Sequence, residues 1–326
     1  MSDRSAIAVA HPNIALIKYW GNADSVLRIP ANGSISMTLG DLFTRMTVRF
    51  EPSLQTDRLT INGERASDSA LLRVSRHLDI IREMADLKMS ALVISESNFP
   101  RSAGIASSAS AFAALSLAGS RAANLKFDET ALSRLARRGS GSASRSVFGG
   151  FVELHTGTTD SEAFSEQIAP AKSWDLVDCI AIVSRDSKAI GSTAGHALAN
   201  TSPIQQARVE DAPRRLELCR QAILARCFSR LTAIVEQDNN LMHAVMLTST
   251  PPLLYWLPAT IQIMHSVHAW RNAGMRVCYT IDAGPNVHCI CASDSADEVE
   301  HRLRQLPDVA SVIRSGPGGP AKLVQD

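Results

Sequence analysis

Asn98-Phe-Pro-Arg-Ser-Ala-Gly-Ile-Ala-Ser-Ser-Ala109 runs, through Ser110, into the small and apolar stretch 111–118. A turn-rich segment feeding such a run reads as a loop that opens a buried helix. Gly104 and the neighbouring Ala106 permit close backbone approach, and the hydroxyls of Ser107 and Ser108, with the amides of a helix start, suit phosphate oxygens. The same residues also suit a serine-rich helix cap, and spacing alone does not separate the two readings. The segment lacks the GxxxxGK[ST] pattern, so it is not a P-loop.

Downstream, Gly139-Ser-Gly-Ser-Ala-Ser-Arg145 repeats these ingredients and adds a guanidinium, which can grip a terminal phosphate through two parallel hydrogen bonds. A surface turn is the alternative. Two separate anion loops make sense where two phosphorylated molecules must meet. Upstream, His11-Pro-Asn-Ile-Ala-Leu-Ile-Lys-Tyr-Trp-Gly21 places Asn13 and Lys18 in an apolar segment, which on its own reads as core packing around a solvated lysine. Near the other end, Thr280-Ile-Asp-Ala-Gly-Pro-Asn286 holds Asp282 where an aspartate commonly caps a turn.

Around these segments, strands are predicted at 6–10, 34–39, 44–50, 90–96, 151–155, 177–184, 277–282, 287–291 and 310–314. Helices are predicted at 71–84, 127–137, 207–226, 229–244, 256–272 and 298–305, from apolar residues at helical spacing. The chain changes character after Ser184, which suggests domains 1–184 and 185–326. With 326 residues and 45% apolar content there is enough chain for a sizeable core. The 33 Lys plus Arg balance 32 Asp plus Glu, so no bulk field recommends nucleic acid or an anionic membrane, and local sites must carry anion recognition. The 6 cysteines show no zinc spacing and read as reduced core thiols. No run suits a signal peptide or a membrane span, so a cytoplasmic protein is expected.

Taken together, the segments 13–21, Ile29-Pro-Ala-Asn-Gly-Ser-Ile-Ser-Met-Thr38, 98–114, 139–153, 191–203, Met242-His-Ala-Val-Met246 and 279–287 resemble the mevalonate diphosphate decarboxylase and phosphomevalonate decarboxylase family. That family belongs with the galactose, homoserine, mevalonate and phosphomevalonate kinases. Several motifs in one order are far more specific than any one glycine loop. The resemblance implies a two-domain α+β small-molecule kinase fold: an N-terminal ATP-binding domain with a left-handed crossover, a C-terminal ferredoxin-like domain, and an active site in the cleft between them.

The resemblance also implies roles. Asp282 stands at the catalytic aspartate beside the substrate's 3-hydroxyl, and Lys18 at the lysine that orients this centre. Ser140, Ser142 and Arg145 match residues that grip the 5-phosphoryl group, with Tyr19 beside it. Asn13, Ser34 and Ser192 are further candidates at the substrate. Gly104, Ala106, Ser107 and Ser108 fall in the ATP phosphate loop, Arg82 is a candidate for the nucleotide, and Ser108 a ligand for Mg2+. ATP, phosphorylated mevalonate and a homodimer are implied, with no membrane or nucleic-acid partner.

One departure bears on the substrate. After Lys18-Tyr-Trp-Gly21 the diphosphate decarboxylases have two basic residues, whereas this chain has Asn22-Ala23, and His196 stands where methionine is common. An amide donates hydrogen bonds but supplies no charge for a distal phosphate. The expected reaction is therefore ATP-dependent decarboxylation of mevalonate 5-phosphate to isopentenyl phosphate, which a downstream isopentenyl phosphate kinase would consume. The alternatives are diphosphate specificity with Arg185 or Lys188 filling the gap, a mevalonate-type 3-kinase, and a noncatalytic ligand-binding relative.

Overall fold

Alternation of apolar and polar residues builds the first sheet. In β6 (Thr44–Glu51), Met46, Val48 and Phe50 are buried while Arg45, Thr47 and Arg49 are not, as a sheet with one covered face requires. A computed structural model describes residues 4–99, 107–184 and 190–325 of the chain. Gly104, Ala106, Arg185 and Lys188 lie outside the described residues.

The first sheet has the order β16 (Lys322–Val324), β1 (Ser5–Ala10), β6, β9 (Ser90–Ser97), β7 (Arg58–Ile61), β8 (Glu64–Arg65). Its pairs are antiparallel except β7 with β9, which are parallel and joined through helix α1 (Asp68–Ala85). Helices α1, α2 (Ser107–Ala122) and α3 (Glu129–Gly139) cover this sheet, with Leu78, Ile81 and Leu115 packed in one core with Met46, Val48 and Val93.

The second sheet runs β11 (Ser165–Ala169), β10 (Phe151–Leu154), β5 (Ser34–Thr38), β2 (Asn13–Ile17). β2 escaped the alternation rule because all five of its residues are buried, so it shows no period. Beyond it, β3 (Asn22–Asp24) and β4 (Ile29–Pro30) form a short hairpin. The third sheet runs β13 (Val277–Thr280), β14 (Val287–Ala292), β12 (Leu176–Ile182), β15 (Ser311–Ser315), all antiparallel.

Period-2 alternation in β12 splits the remaining core. Leu176, Ile180 and Ile182 pack with the second sheet and with α6 (Ala212–Leu224) and α7 (Phe228–Leu247). Cys179 and Ala181 face the opposite layer, α8 (Pro258–Asn272) and α9 (Ala296–Gln305). The helix expected at 207–226 is two helices, α5 (Gln205–Glu210) and α6, because Pro213 in the first turn of α6 cannot donate to an unbroken ladder. The short α4 (Ser192–Leu198) precedes them.

The whole is an α+β protein of two domains. Sheet pairing does not follow a cut after Ser184: β12 belongs with the C-terminal strands, and β16 returns to pair with β1. Strand partners are chosen across the chain, which a change in composition cannot reveal.

Candidate active site

The end of β2, the loop leading into β3, the start of α2, the 3-10 segment Gly141–Val147, the start of α4 and the turn after β13 all converge on one cavity of ≈ 640 Å³. It lies where the two domains meet, and it collects most of the residues singled out from sequence.

At its floor, Lys18 Nζ donates to Asp282 Oδ1 at 2.6 Å. The lysine is 1% exposed and the aspartate side chain 25%, so the carboxylate faces the cavity and the ammonium backs it. Burial pushes the Lys18 pKa down, while Asp282 and then Asp238 oppose that shift. The reading of a solvated lysine amid core packing therefore fails: Lys18 is buried, with its charge paired to Asp282.

Arg145 donates to Ser34 Oγ at 2.6 Å and to Asn13 Oδ1 at 3.1 Å. Asn13 in turn donates to Ser146 Oγ at 2.8 Å and to the Ser142 carbonyl at 3.1 Å. Arg145 and Asn13 line the cavity, whereas Ser34 stands behind the guanidinium and fixes it. Burial lowers the Arg145 pKa to about 10, against the pull of Asp282 and Tyr19, so the group stays cationic at neutral pH. Ser140 Oγ lies 3.1 Å from Ser108 Oγ and 3.4 Å from Ser142 Oγ, which joins the two serine loops into one ridge. The glycine between them is required: a Cβ on Gly141 would fall 2.2 Å from Tyr19 Cε1.

Tyr19 donates its hydroxyl to Asn22 Oδ1. Burial raises the Tyr19 pKa to about 12, so it remains a neutral donor. His196, on α4, sits with its ring 4.3 Å from Tyr19 and 4.6 Å from Trp20. Its Nδ1 accepts the Gly21 N–H at 3.0 Å, and burial, with Arg28 and Arg208, lowers its pKa to about 3. The neutral ring therefore carries its proton on Nε2. Ser192 lines the same wall at the start of α4. Asn22 does not line the cavity; it acts on it through Tyr19.

The other half of the cavity was not legible in sequence. Met46, Leu59, Ile61, Val74 and Phe112 make an apolar wall, and Ser107 and Ser108 at the start of α2 lie beside it. Residues of this kind sit wherever an alternating strand meets a helix, so nothing local marks them. Two arginines also line the cavity: Arg73 on α1, with its guanidinium 5.0 Å from the centre of the Phe112 ring, and Arg28. Arg28 has φ 51, uncommon for a residue with a side chain, and Arg137 donates to the preceding Leu27 carbonyl at 2.5 Å. Arg82, a candidate for the nucleotide, does not line this cavity. Its guanidinium bonds to Asp57, Asp79 and the Met89 carbonyl in a separate shallow depression, because it lies more than two turns beyond Arg73 on α1.

A half lined by Arg145, Lys18, Asp282 and serine hydroxyls, and an apolar half next to the start of α2, suit a phosphorylated acceptor and a nucleotide side by side. Comparison with known proteins agrees. Residues 10–165 match the diphosphomevalonate decarboxylase-like N-terminal domain, and residues 179–315 match the mevalonate 5-diphosphate decarboxylase C-terminal domain. The fold superposes on mevalonate diphosphate decarboxylase from Staphylococcus aureus with a TM-score of 0.94 at 36% identity, covering 98% of each chain. A structure described as MDDEF in complex with MVAPP, AMPPCP and magnesium gives a TM-score of 0.93 at 34% identity, covering 99% of each. Phosphomevalonate decarboxylase of Haloferax volcanii is 32% identical over 323 residues, 98% of each chain.

Proposed function

This chain belongs to the family of ATP-dependent diphosphomevalonate and phosphomevalonate decarboxylases, and within it we propose that its substrate is mevalonate 5-phosphate and its product isopentenyl phosphate. The observation that carries this choice is the neutral end of the substrate wall. Where relatives are expected to present a lysine, Asn22 accepts the Tyr19 hydroxyl, and beside it stands an uncharged His196. Neither group adds the charge that a diphosphate requires.

In this reading Arg145, held in orientation by Ser34 and Asn13, grips the 5-phosphoryl group with Ser140 and Ser142, and Tyr19 stands beside it. Asp282 accepts a hydrogen bond from the 3-hydroxyl and takes its proton as the new O–P bond forms and ADP departs. The C3–O bond then breaks with its electron pair on phosphate. The bond to the carboxylate breaks next, its pair forms the alkene, and carbon dioxide leaves. Lys18 stabilises the negative charge that gathers near Asp282, and positioning supplies much of the rate. Ser107, Ser108 and the amides opening α2 suit the nucleotide phosphates, and the apolar wall suits the base. Magnesium would neutralise phosphate charge, and the Ser108 hydroxyl would be a ligand for it.

A second reading, diphosphate specificity, is favoured by Arg28. It lines the cavity, and its charge acts on both Tyr19 and His196, so it is placed to take over from the lysine absent at 22. The experiment supplies ATP and magnesium with mevalonate 5-phosphate or its 5-diphosphate and follows carbon dioxide and product mass. A higher kcat/KM for the monophosphate is expected; preference for the diphosphate overturns the proposal in favour of the second reading.

A further inference from the structure

We infer that Asp238 and Asn239, adjacent on α7, are positioning residues that set the contact between Lys18 and Asp282; the inference rests on the decarboxylase reading above for its catalytic meaning. Asp238 Oδ2 accepts the backbone N–H of Lys18 at 2.6 Å. Asn239 Oδ1 accepts the backbone N–H of Ile281, the residue before Asp282, at 2.7 Å. Consecutive side chains on a helix diverge by roughly 100°. One helix can therefore reach two strands with neighbouring residues, here the end of β2 and the end of β13.

Both residues are fully buried, and neither is accounted for by packing. A carboxylate in a helix interior is costly unless every oxygen is used. The second oxygen of Asp238 accepts from Arg215 Nε at 2.7 Å, and Arg215 also donates to the Arg208 carbonyl at 2.7 Å. Arg208 closes the loop by donating to the Lys18 carbonyl at 2.8 Å. Lys18 is thus held at its N–H and its carbonyl by one buried network from the C-terminal domain. His243, one turn further along α7, contacts the Ile281 carbonyl at 3.2 Å, so Ile281 is held at both sides as well.

Asp238 has a second effect that Asn239 lacks. Its charge is one of those opposing the depression of the Lys18 pKa by burial, alongside Asp282 after β13 and against Arg145 of the 3-10 segment. His243 also faces this charge, but its own pKa of about 3 leaves it neutral across the range where a lysine titrates. Replacing the carboxylate by an amide keeps an acceptor for the Lys18 N–H and removes the charge.

The test uses the full chain, whose 6 lysines make the labelled lysine Cε resonances resolvable by NMR, with Lys18 identified by its loss in Lys18→Met. In Asp238→Asn the Lys18 titration is expected about one pH unit lower than in the wild type, the lower end of what a neighbouring charge does. In Asn239→Ala, which leaves the Arg215–Asp238 pair intact, kcat is expected to fall about tenfold or more, with both KM values within about twofold, as for loss of positioning. If Asp238→Asn does not fold, Asn239→Ala decides alone. An unmoved Lys18 titration in folded Asp238→Asn, or a wild-type kcat in Asn239→Ala, overturns the inference. The NMR readout needs no turnover, so a wild type inactive on both phosphates would sink the decarboxylase reading and leave the Lys18 result standing.

Discussion

Lys18 and Asp282 are separated by 264 residues, come from different domains, and meet through a 2.6 Å hydrogen bond at the floor of the cavity. The pairing allots the charges: a shielded ammonium behind, a carboxylate in front. Replacing Asp282 by Asn keeps shape and removes the base. Asp282→Asn is expected to bind nucleotide as the wild type does while kcat drops by about 10²–10⁴-fold, the usual contribution of a placed acid or base. Nucleotide titration calorimetry beside steady-state assays checks this, and near-normal turnover would remove Asp282 from the chemistry.

Asn22 acts through Tyr19. In Asn22→Lys the hydroxyl loses its acceptor and the wall gains a cation, so the ratio of diphosphate to monophosphate kcat/KM should rise about tenfold, near the lower limit for a hydrogen bond to a charged group. An unchanged ratio would leave phosphate selection to other residues, and Arg28→Gln is the variant to measure in the same assay, since it lowers diphosphate use if Arg28 supplies the missing charge.

Arg73 and Arg82 share a helix but not a site. Arg73→Ala is expected to raise the KM for ATP about fivefold or more, as for a lost charge-assisted contact, and Arg82→Ala to leave it within about twofold. Equal effects of the two variants would mean that Arg73 does not contact the nucleotide.

Three histidines with depressed pKa values are expected to weaken the fold in acid. His77, His196 and His243 each have pKa values lowered to about 3, chiefly by burial. The unfolded chain binds their protons near pH 6.5 and the folded chain does not, so stability is complete above that value and is lost as the pH falls from 6.5 towards 3. Each histidine contributes a slope of about 1.4 kcal/mol per pH unit while only the unfolded form is protonated. Urea midpoints at pH 7, 6 and 5 should fall in order; a flat series would mean that these rings are solvated or protonated in the folded state.

Strands with one covered face, such as β6, and the hairpin β13–β14 were readable because period and turn residues are local. β2 was not, since burial on both faces erases its period. The two serine loops stood out in sequence as candidate anion loops, and the structure brings them together through Ser108 and Ser140. Arg28 and Arg73 gave no signal, because an arginine in a turn or on a helix is ordinarily solvated, and only the position of its neighbours makes it part of a cavity. Asp238 and Asn239 were hidden for the same reason.

By itself, the sequence determined many of the strands and helices, singled out two glycine-serine loops as candidates for phosphate, and, through the order of its motifs, identified the family. These depend on backbone preference, side-chain period and residue chemistry, all of which act within a few neighbours. Tertiary structure alone decided that Lys18 meets Asp282, that Ser34 supports Arg145 from behind, and that Arg73 rather than Arg82 reaches the cavity. Such contacts follow from how three sheets and their helices pack, and a buried charge is stable only where distant segments bring it a partner.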